Sequence, residues 1–257
     1  MSETQDDSLP QVMTRVLKHA GGSVVDTVLP PQELLSLAGD PLSKRLWENV
    51  TFLDAPWCEA CGFPFEYQIA DGGLCGRCSV RKPAYDHARA AMAYDDGSRA
   101  LVLSFKHGGR TEGLAGFAAQ MRRAGRDILD GADYLIPVPL HPSRLIRRKY
   151  NQAALLARAL GKITSAKFDP DSLMRTKRTE SQGQFNLRQR ADNVRGAFDI
   201  RPGAMDRLQG AHVILIDDVL TTGATLEACA RTLKKAGARQ VDGLCLARVA
   251  KAAALPT

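Results

Sequence analysis

The sequence predicts an α/β fold: a parallel β-sheet flanked by helices, preceded by a small ribbon of four cysteines. Three observations predict it. Residues 213–216, VILI, form an apolar run without a polar break, which suits a strand buried on both faces of a parallel sheet. After a short acidic turn and a loop of small residues, a helical pattern runs over 222–236, with Leu226, Ala230, Leu233 and Ala236 on one side. Upstream, Cys58-x2-Cys61 and Cys75-x2-Cys78 stand thirteen residues apart, a spacing for four thiolates around one metal.

The chain of 257 residues is long enough for one large domain plus a small module. No apolar run approaches the ~20 residues of a membrane span, and the polar, acidic start MSETQDDSLPQ is unlike a secretory signal. Cytoplasm is the expected compartment, where cysteines stay free or metal-bound. Residues 1–56 offer short amphipathic helical patterns and no chemistry. The ribbon is expected over 57–82, and Gly62 and Gly76 suit tight knuckles beside the cysteines. Two disulfides or two redox pairs are the competing readings. The compartment disfavours the first, and the absence of a thioredoxin-like βαβ context disfavours the second.

The larger domain is expected over 83–257. Its predicted elements are a strand over 86–94, helices over 98–106 and 114–124, and a strand over 134–139. A single helix should then run from about Arg144 to Leu160. A short strand is expected at 172–175, and 197–200 should resume the sheet ahead of strands at 213–216 and 241–246. The turn Lys106-His107-Gly108-Gly109-Arg110 reads either as a phosphate contact or as a helix C-cap. Residues 176–195 read as a polar loop over the site, with a short helix near 187–191, and plain surface disorder is the alternative. Cys229 and Cys245 read as core. Of the histidines, only His107 and His141 occupy positions that invite a role.

The chemistry gathers at 213–225, VILIDDVLTTGAT. Ligands of parallel sheets lie beyond the carboxyl ends of strands. Bare amides at a helix start bind phosphate. Two carboxylates beside such a loop would hold hydroxyls or a metal, so a sugar phosphate with vicinal hydroxyls satisfies both halves. An Asp pair before threonine is also an ordinary helix N-cap, but all thirteen positions fit the phosphate-site pattern. No Gly-Lys-Ser/Thr follows, so this is not a nucleotide P-loop. Net charge is +7, and residues 144–195 alone carry thirteen Lys/Arg against four Asp/Glu, a local excess of nine. Pyrophosphate, nucleic acid or a solvated basic face would each account for it.

The stretch 213–225 resembles the phosphoribosyl-pyrophosphate (PRPP) motif of type I phosphoribosyltransferases. Over residues 52–249 the chain is similar to the ComF family. CEACG, LCGRC, FKHGGR (105–110), PVPLHPSRLIRRKYNQA (137–153), TESQGQFNLRQRADNVRGAF (179–198) and VILIDDVLTTGAT carry the likeness, in that order. Three departures stand out: no cysteine pair lies upstream of Cys58, Gly109-Arg110 stands where relatives often carry Asp, and Lys149 replaces a frequent glycine. One zinc rather than two is therefore expected.

The resemblance implies a type I phosphoribosyltransferase fold behind a structural zinc ribbon on Cys58, Cys61, Cys75 and Cys78. It implies PRPP, with magnesium, at Asp217 and Asp218 (ribose hydroxyls) and at Thr221, Thr222, Gly223, Ala224 and Thr225 (5′-phosphate). Arg144, Arg148, Gln182 and Arg190 would serve the pyrophosphate and the lid. It further implies a role in natural competence and DNA utilisation, with single-stranded DNA and proteins of the competence machinery as partners. Two other readings share the motif: a phosphoribosyltransferase acting on a base, and a PRPP-sensing regulator without turnover. No segment recognising a base, and no catalytic residue, is identifiable in the sequence.

Overall fold

A five-stranded parallel sheet forms the centre of the computed structural model, which describes residues 49–70, 72–107, 113–148, 150–177 and 194–250. In chain order the strands are β1 (Ala88–Ala93), β2 (Tyr134–Pro137), β3 (Lys167–Phe168), β4 (Leu173–Arg175), β5 (Phe198–Ile200), β6 (His212–Leu220) and β7 (Gln240–Arg248). The sheet order is β1-β7-β6-β2-β3, and every pairing in it is parallel. The helices are α1 (Gly76–Val80), α2 (Asp96–His107), α3 (Leu114–Ala124), α4 (Arg126–Leu129), α5 (Pro142–Arg148), α6 (Gln152–Gly161), α7 (Met205–Leu208) and α8 (Ala224–Lys235).

The unbroken apolar run of β6 is explained by its two buried faces. Val213 and Leu215 join one core with Leu226, Cys229 and Leu233 of α8 and with Cys58, Cys61 and Cys78. Ile214 and Ile216 join the other, with α3 and α6. A strand covered on both sides has no polar face to alternate with. Cys229 and Cys245 are fully buried, as expected of small core residues.

Four expectations are corrected. The helix from 144 to 160 is two helices, because Asn151 starts α6 as its cap. Its Oδ1 accepts from the Ala153 amide (3.1 Å), and its Nδ2 donates to the Val138 carbonyl at the end of β2 (3.1 Å). Residues 198–200 do not resume the main sheet; they pair antiparallel with β4 in a separate two-stranded sheet. The first strand begins at Ala88, while Asp86 turns aside to accept from Lys234 Nζ (2.7 Å) and the Val241 amide (2.8 Å). β6 runs on to Leu220, so the acidic pair lies in the strand rather than in a turn. The patterns read in 1–48 and 187–191, and most of the 176–195 loop, lie outside the described residues.

A buried polar cluster at the amino end of the sheet was not read from the sequence. Fully buried Asp242 on β7 faces His212 Nε2 (2.7 Å) and accepts from Gln240 Nε2 (2.8 Å) and the His87 amide (2.9 Å), with His87 Nδ1 at 3.1 Å. Burial pushes this carboxyl up, but the bonds from His212, Gln240 and His87 outweigh it and hold the pKa below the ordinary value. A carboxyl depressed by folding contributes stability above its unfolded pKa of about 3.9, and loses it as pH falls through the folded value. Asp242→Ala is expected to cost about 3 kcal/mol at pH 7, as for one partner removed from a buried pair. Urea midpoints should show that loss, and the gap to wild type should shrink below about pH 4.

Candidate phosphate site and metal centre

β6 delivers Asp217 and Asp218 to the carboxyl end of the sheet, where parallel sheets hold ligands. The Asp218 amide donates to Asp217 Oδ1 (2.9 Å), and the Val219 amide donates to Asp218 Oδ1 (2.7 Å). The Asp217 charge is felt inside the core. Burial first, and then that charge, raises the Cys229 and Cys245 thiols well above their ordinary values. The pKa of Arg175 on β4 is lowered by burial, against the opposing pull of Cys229 and then of Asp217.

Beyond Leu220 the chain turns through Thr221 and Thr222 to Gly223, whose φ of 81° is left-handed and opens α8. A Cβ at Gly223 would also lie 2.9 Å from Tyr85 Oη, so only glycine suits both backbone and neighbour. Buried Thr222 accepts from the Ala224 amide with its own Oγ1 (3.3 Å). Thr221 is exposed, while Ala224 and Thr225 are half-buried. The loop thus sets a ring of small residues and the first amides of a twelve-residue helix beside two carboxylates. Such a loop can hold a phosphate while the carboxylates take hydroxyls or a cation.

Cys58, Cys61, Cys75 and Cys78 bring their sulfurs within 4.8 Å of one another. A tetrahedral ion with metal–sulfur bonds of about 2.3 Å sets its sulfurs about 3.8 Å apart. Cys61 and Cys75 Sγ already stand at 3.7 Å, so the donors fit a closed thiolate site. Knuckle geometry supports them: the Gly62 amide donates to the Cys58 carbonyl (2.8 Å), and the Cys75 amide donates to Cys58 Sγ (3.3 Å). A Cβ at Gly62, where φ is 68°, would lie 2.2 Å from the Ala88 carbonyl oxygen, which presses the knuckle onto β1. A hydrogen bond from Cys61 holds the Cys58 thiol down at about 4, while the same bond and burial push Cys61 up. Buried Arg248 donates to the Cys61 carbonyl and lies 3.6 Å from its sulfur, adding positive charge. The four cysteines can therefore hold a metal ion, and all six cysteines of the chain are free of disulfides.

Sequence reasoning missed how the two sites meet. Arg77 on α1, between the last two cysteines, donates from Nη2 to the Thr222 carbonyl at 2.6 Å. Arg81 pairs with Glu227 in the first turn of α8. Buried Arg89 on β1 donates to the Glu59 carbonyl (3.0 Å) and Asp127 Oδ2 (3.0 Å), under the ring of Trp57. These partners are far apart in sequence, so local pattern carries no sign of them.

The remaining candidates divide. α5 spans Arg144 and Arg148, and their spacing of four puts both positions on one helix face, but their side chains lie outside the described residues, as do Gln182 and Arg190. Tyr150, considered as a surface for stacking bases, is buried, and its hydroxyl donates to the Phe105 carbonyl (3.1 Å), so it is corrected to a core residue. Phe185, its companion in that reading, lies outside the described residues. His141 caps α5, its Nδ1 accepting from the Ser143 amide (3.2 Å). The side chain of His107 and residues 108–112 are not described. Among the described residues no helix is long and apolar enough to cross a membrane.

Residues 153–256 match the model of the phosphoribosyl transferase domain. The chain is 30% identical over 205 residues to DNA utilization protein YhgH of Shigella flexneri, covering 78% of this chain and 87% of that protein. It is 29% identical to competence protein F of Haemophilus influenzae, covering 75% and 85%. Among solved structures it is similar to the allosteric regulatory enzyme of purine biosynthesis, at 15% identity and a TM-score of 0.37, over 56% of this chain and 30% of that one. A phosphoribosyltransferase-type parallel sheet, a four-cysteine cluster on its amino-terminal side and relatives matched over most of their length together establish that the chain belongs to the ComF family.

Proposed function

We propose that this protein binds PRPP, with magnesium, at Asp217, Asp218 and Thr221–Thr225, and acts in the use of incoming DNA with single-stranded DNA as a partner. The observation that carries the PRPP reading is the acidic pair and small-residue loop at the carboxyl end of β6, opening α8. In this reading the carboxylates orient the ribose hydroxyls, and the loop amides hold the 5′-phosphate. Magnesium, when bound with the ligand, neutralises pyrophosphate charge. Arg144, Arg148, Gln182 and Arg190 serve the pyrophosphate side. The four cysteines hold a structural zinc, since a site with four thiolate ligands is closed to substrate. The working division is a segment over 1–56, a ribbon over 57–82 and the larger domain over 83–257, in the cytoplasm.

The names of the relatives and the excess of cations over residues 144–195 support the DNA reading. Cationic grooves hold single strands with little sequence preference and with strong salt dependence. Changing Arg147, Arg148, Arg188 and Arg190 together to Gln is expected to weaken binding of a labelled oligonucleotide on the order of tenfold or more, and to flatten its salt slope by about 0.7 for each phosphate no longer neutralised. Fluorescence anisotropy between low and moderate salt reads both. Unchanged affinity and slope would leave these arginines to pyrophosphate alone. Competition by PRPP then tells whether the two anions share a surface, and pyrophosphate release with a panel of bases separates a transferase from a binder.

A further inference from the structure

After the apolar run GLCLA over residues 243–247, β7 ends on a charge, Arg248. The sheet fixes its backbone, in register with Ala93 of β1 on one side and Leu220 of β6 on the other. Its side chain reaches into the ribbon. Nη1 donates to the Cys61 carbonyl, Nη2 lies 3.6 Å from Cys61 Sγ, and the guanidinium carbon lies 5.4 Å from the centre of the Phe63 ring. The residue is 7% exposed, and its Nε has no hydrogen-bond partner among the described residues. No carboxylate among the described residues pairs with it. Buried Arg89, by contrast, has Asp127 Oδ2 at 2.7 Å. A buried cation without an anion is costly. Arg248 therefore implies a negative charge beside it that carboxylates do not supply.

We propose that Arg248 is the counter-ion of the four-cysteine centre: held against Cys61, it offsets part of the negative charge that four thiolates leave around a divalent ion, and so strengthens metal binding. The inference rests on the zinc reading above and adds to it a residue from outside the ribbon. Four thiolates and one dication leave two negative charges. Cys58, Cys61 and Cys78 are buried, so water screens little of that charge. In such surroundings a guanidinium and a thiolate attract each other more strongly than they would in water. A donor or cation set against a ligating sulfur is also the kind of contact by which a protein tunes a metal site. The two deficits answer each other: the loaded centre lacks a cation, and Arg248 lacks an anion. The ribbon's own arginines are engaged elsewhere, Arg77 on the Thr222 carbonyl and Arg81 with Glu227. Arg248 comes from the last strand of the sheet, 187 positions after Cys61, which is why the cysteine motif gives no hint of it.

The test uses the full chain, loaded with zinc or, as a spectroscopic probe, with cobalt(II). Arg248→Met keeps a long apolar side chain and removes the charge, while Arg248→Lys keeps the charge on a different head group. Against a competing chromogenic chelator, Arg248→Met is expected to bind zinc at least about tenfold more weakly than wild type, the loss typical when a partner of a ligating group is removed. Arg248→Lys should recover most of that affinity. In the cobalt-loaded chain the thiolate-to-cobalt charge-transfer band should move to longer wavelength in Arg248→Met, because a sulfur that no longer faces a cation gives up its electron more readily. A side chain that only packs would not move that band. Unchanged zinc affinity with an unmoved band in Arg248→Met would overturn the proposal and leave the zinc reading standing. Equal weakening by Met and Lys without a shift of the band would do the same, and would make Arg248 a packing residue. A wild-type chain that takes up neither zinc nor cobalt would overturn the metal reading itself, and the proposal with it.

Discussion

The wild-type protein is expected to gain thermal stability from PRPP with magnesium, and replacing Asp217 and Asp218 together by Ala is expected to abolish that shift. A ligand stabilises only the state that binds it, by about 2.7 kcal/mol at a hundredfold excess over Kd. That gain depends on the carboxylates, because the loop amides alone hold a phosphate without distinguishing it from any other. The variant should nevertheless be as stable as wild type when no ligand is present. Two adjacent carboxylates repel each other, and the charge of Asp217 adds to burial in disfavouring ionisation of Cys229 and Cys245 behind it. Removing charge from a functional site commonly leaves stability level or raises it. The paired Asn variant keeps the shape and removes only the charge, so it should behave alike. A double variant that still shifts with PRPP would show that the sugar is held elsewhere. A variant that melts early without ligand would assign the pair to the fold.

The central strand and its helix were legible because their signals are local. Residues 213–216 have nowhere to place a polar side chain, and Leu226, Ala230 and Leu233 recur at helical spacing. The cysteines were legible because two tight knuckles need fixed spacing. Three features were not. Tyr150 sits in a basic, polar run, and only its packing in the core, with its hydroxyl on the Phe105 carbonyl of α2, takes it inside, so composition pointed the wrong way. Asn151 reads as one more helical residue, and neither its capping bond from the Ala153 amide nor its second bond, to the Val138 carbonyl just beyond β2, is visible in a helical pattern. Asp242 sits in an apolar strand, and its meaning depends on His87 and His212 arriving from elsewhere in the chain. A one-dimensional pattern registers neighbours within a turn or a pleat; the docking of the ribbon on the loop joins residues 145 apart.

That docking would make a metal on the four cysteines more than an anchor for its own module. In the proposed zinc- and PRPP-binding protein, a chelator is expected to remove PRPP affinity as well as order in the ribbon. The chain of cause is short. Cys75 and Cys78 flank Arg77, and α1 begins at Gly76, so an ion on the four cysteines would fix the helix that carries the guanidinium. Arg77 in turn binds the Thr222 carbonyl, which ties the loop to that helix. Thiolate ligation of zinc couples strongly to folding, on the order of 10 kcal/mol in small zinc modules, so the apo ribbon should not keep this helix in place. A charge-assisted bond of this kind is worth about 1.5–3 kcal/mol, so its loss should weaken PRPP binding roughly tenfold or more. Arg77→Met separates cause from damage: it keeps all four ligands and the metal, and should reproduce most of the affinity loss in a protein whose zinc content and circular dichroism match wild type. Because Cys58, Ala60, Cys61 and Cys78 share one core with β6 and α8, chelation should also lower the melting temperature of the whole molecule. Chelated protein that binds PRPP as tightly as the metal-loaded form, or Arg77→Met with unchanged affinity, would confine the metal to the ribbon and leave the loop to organise itself.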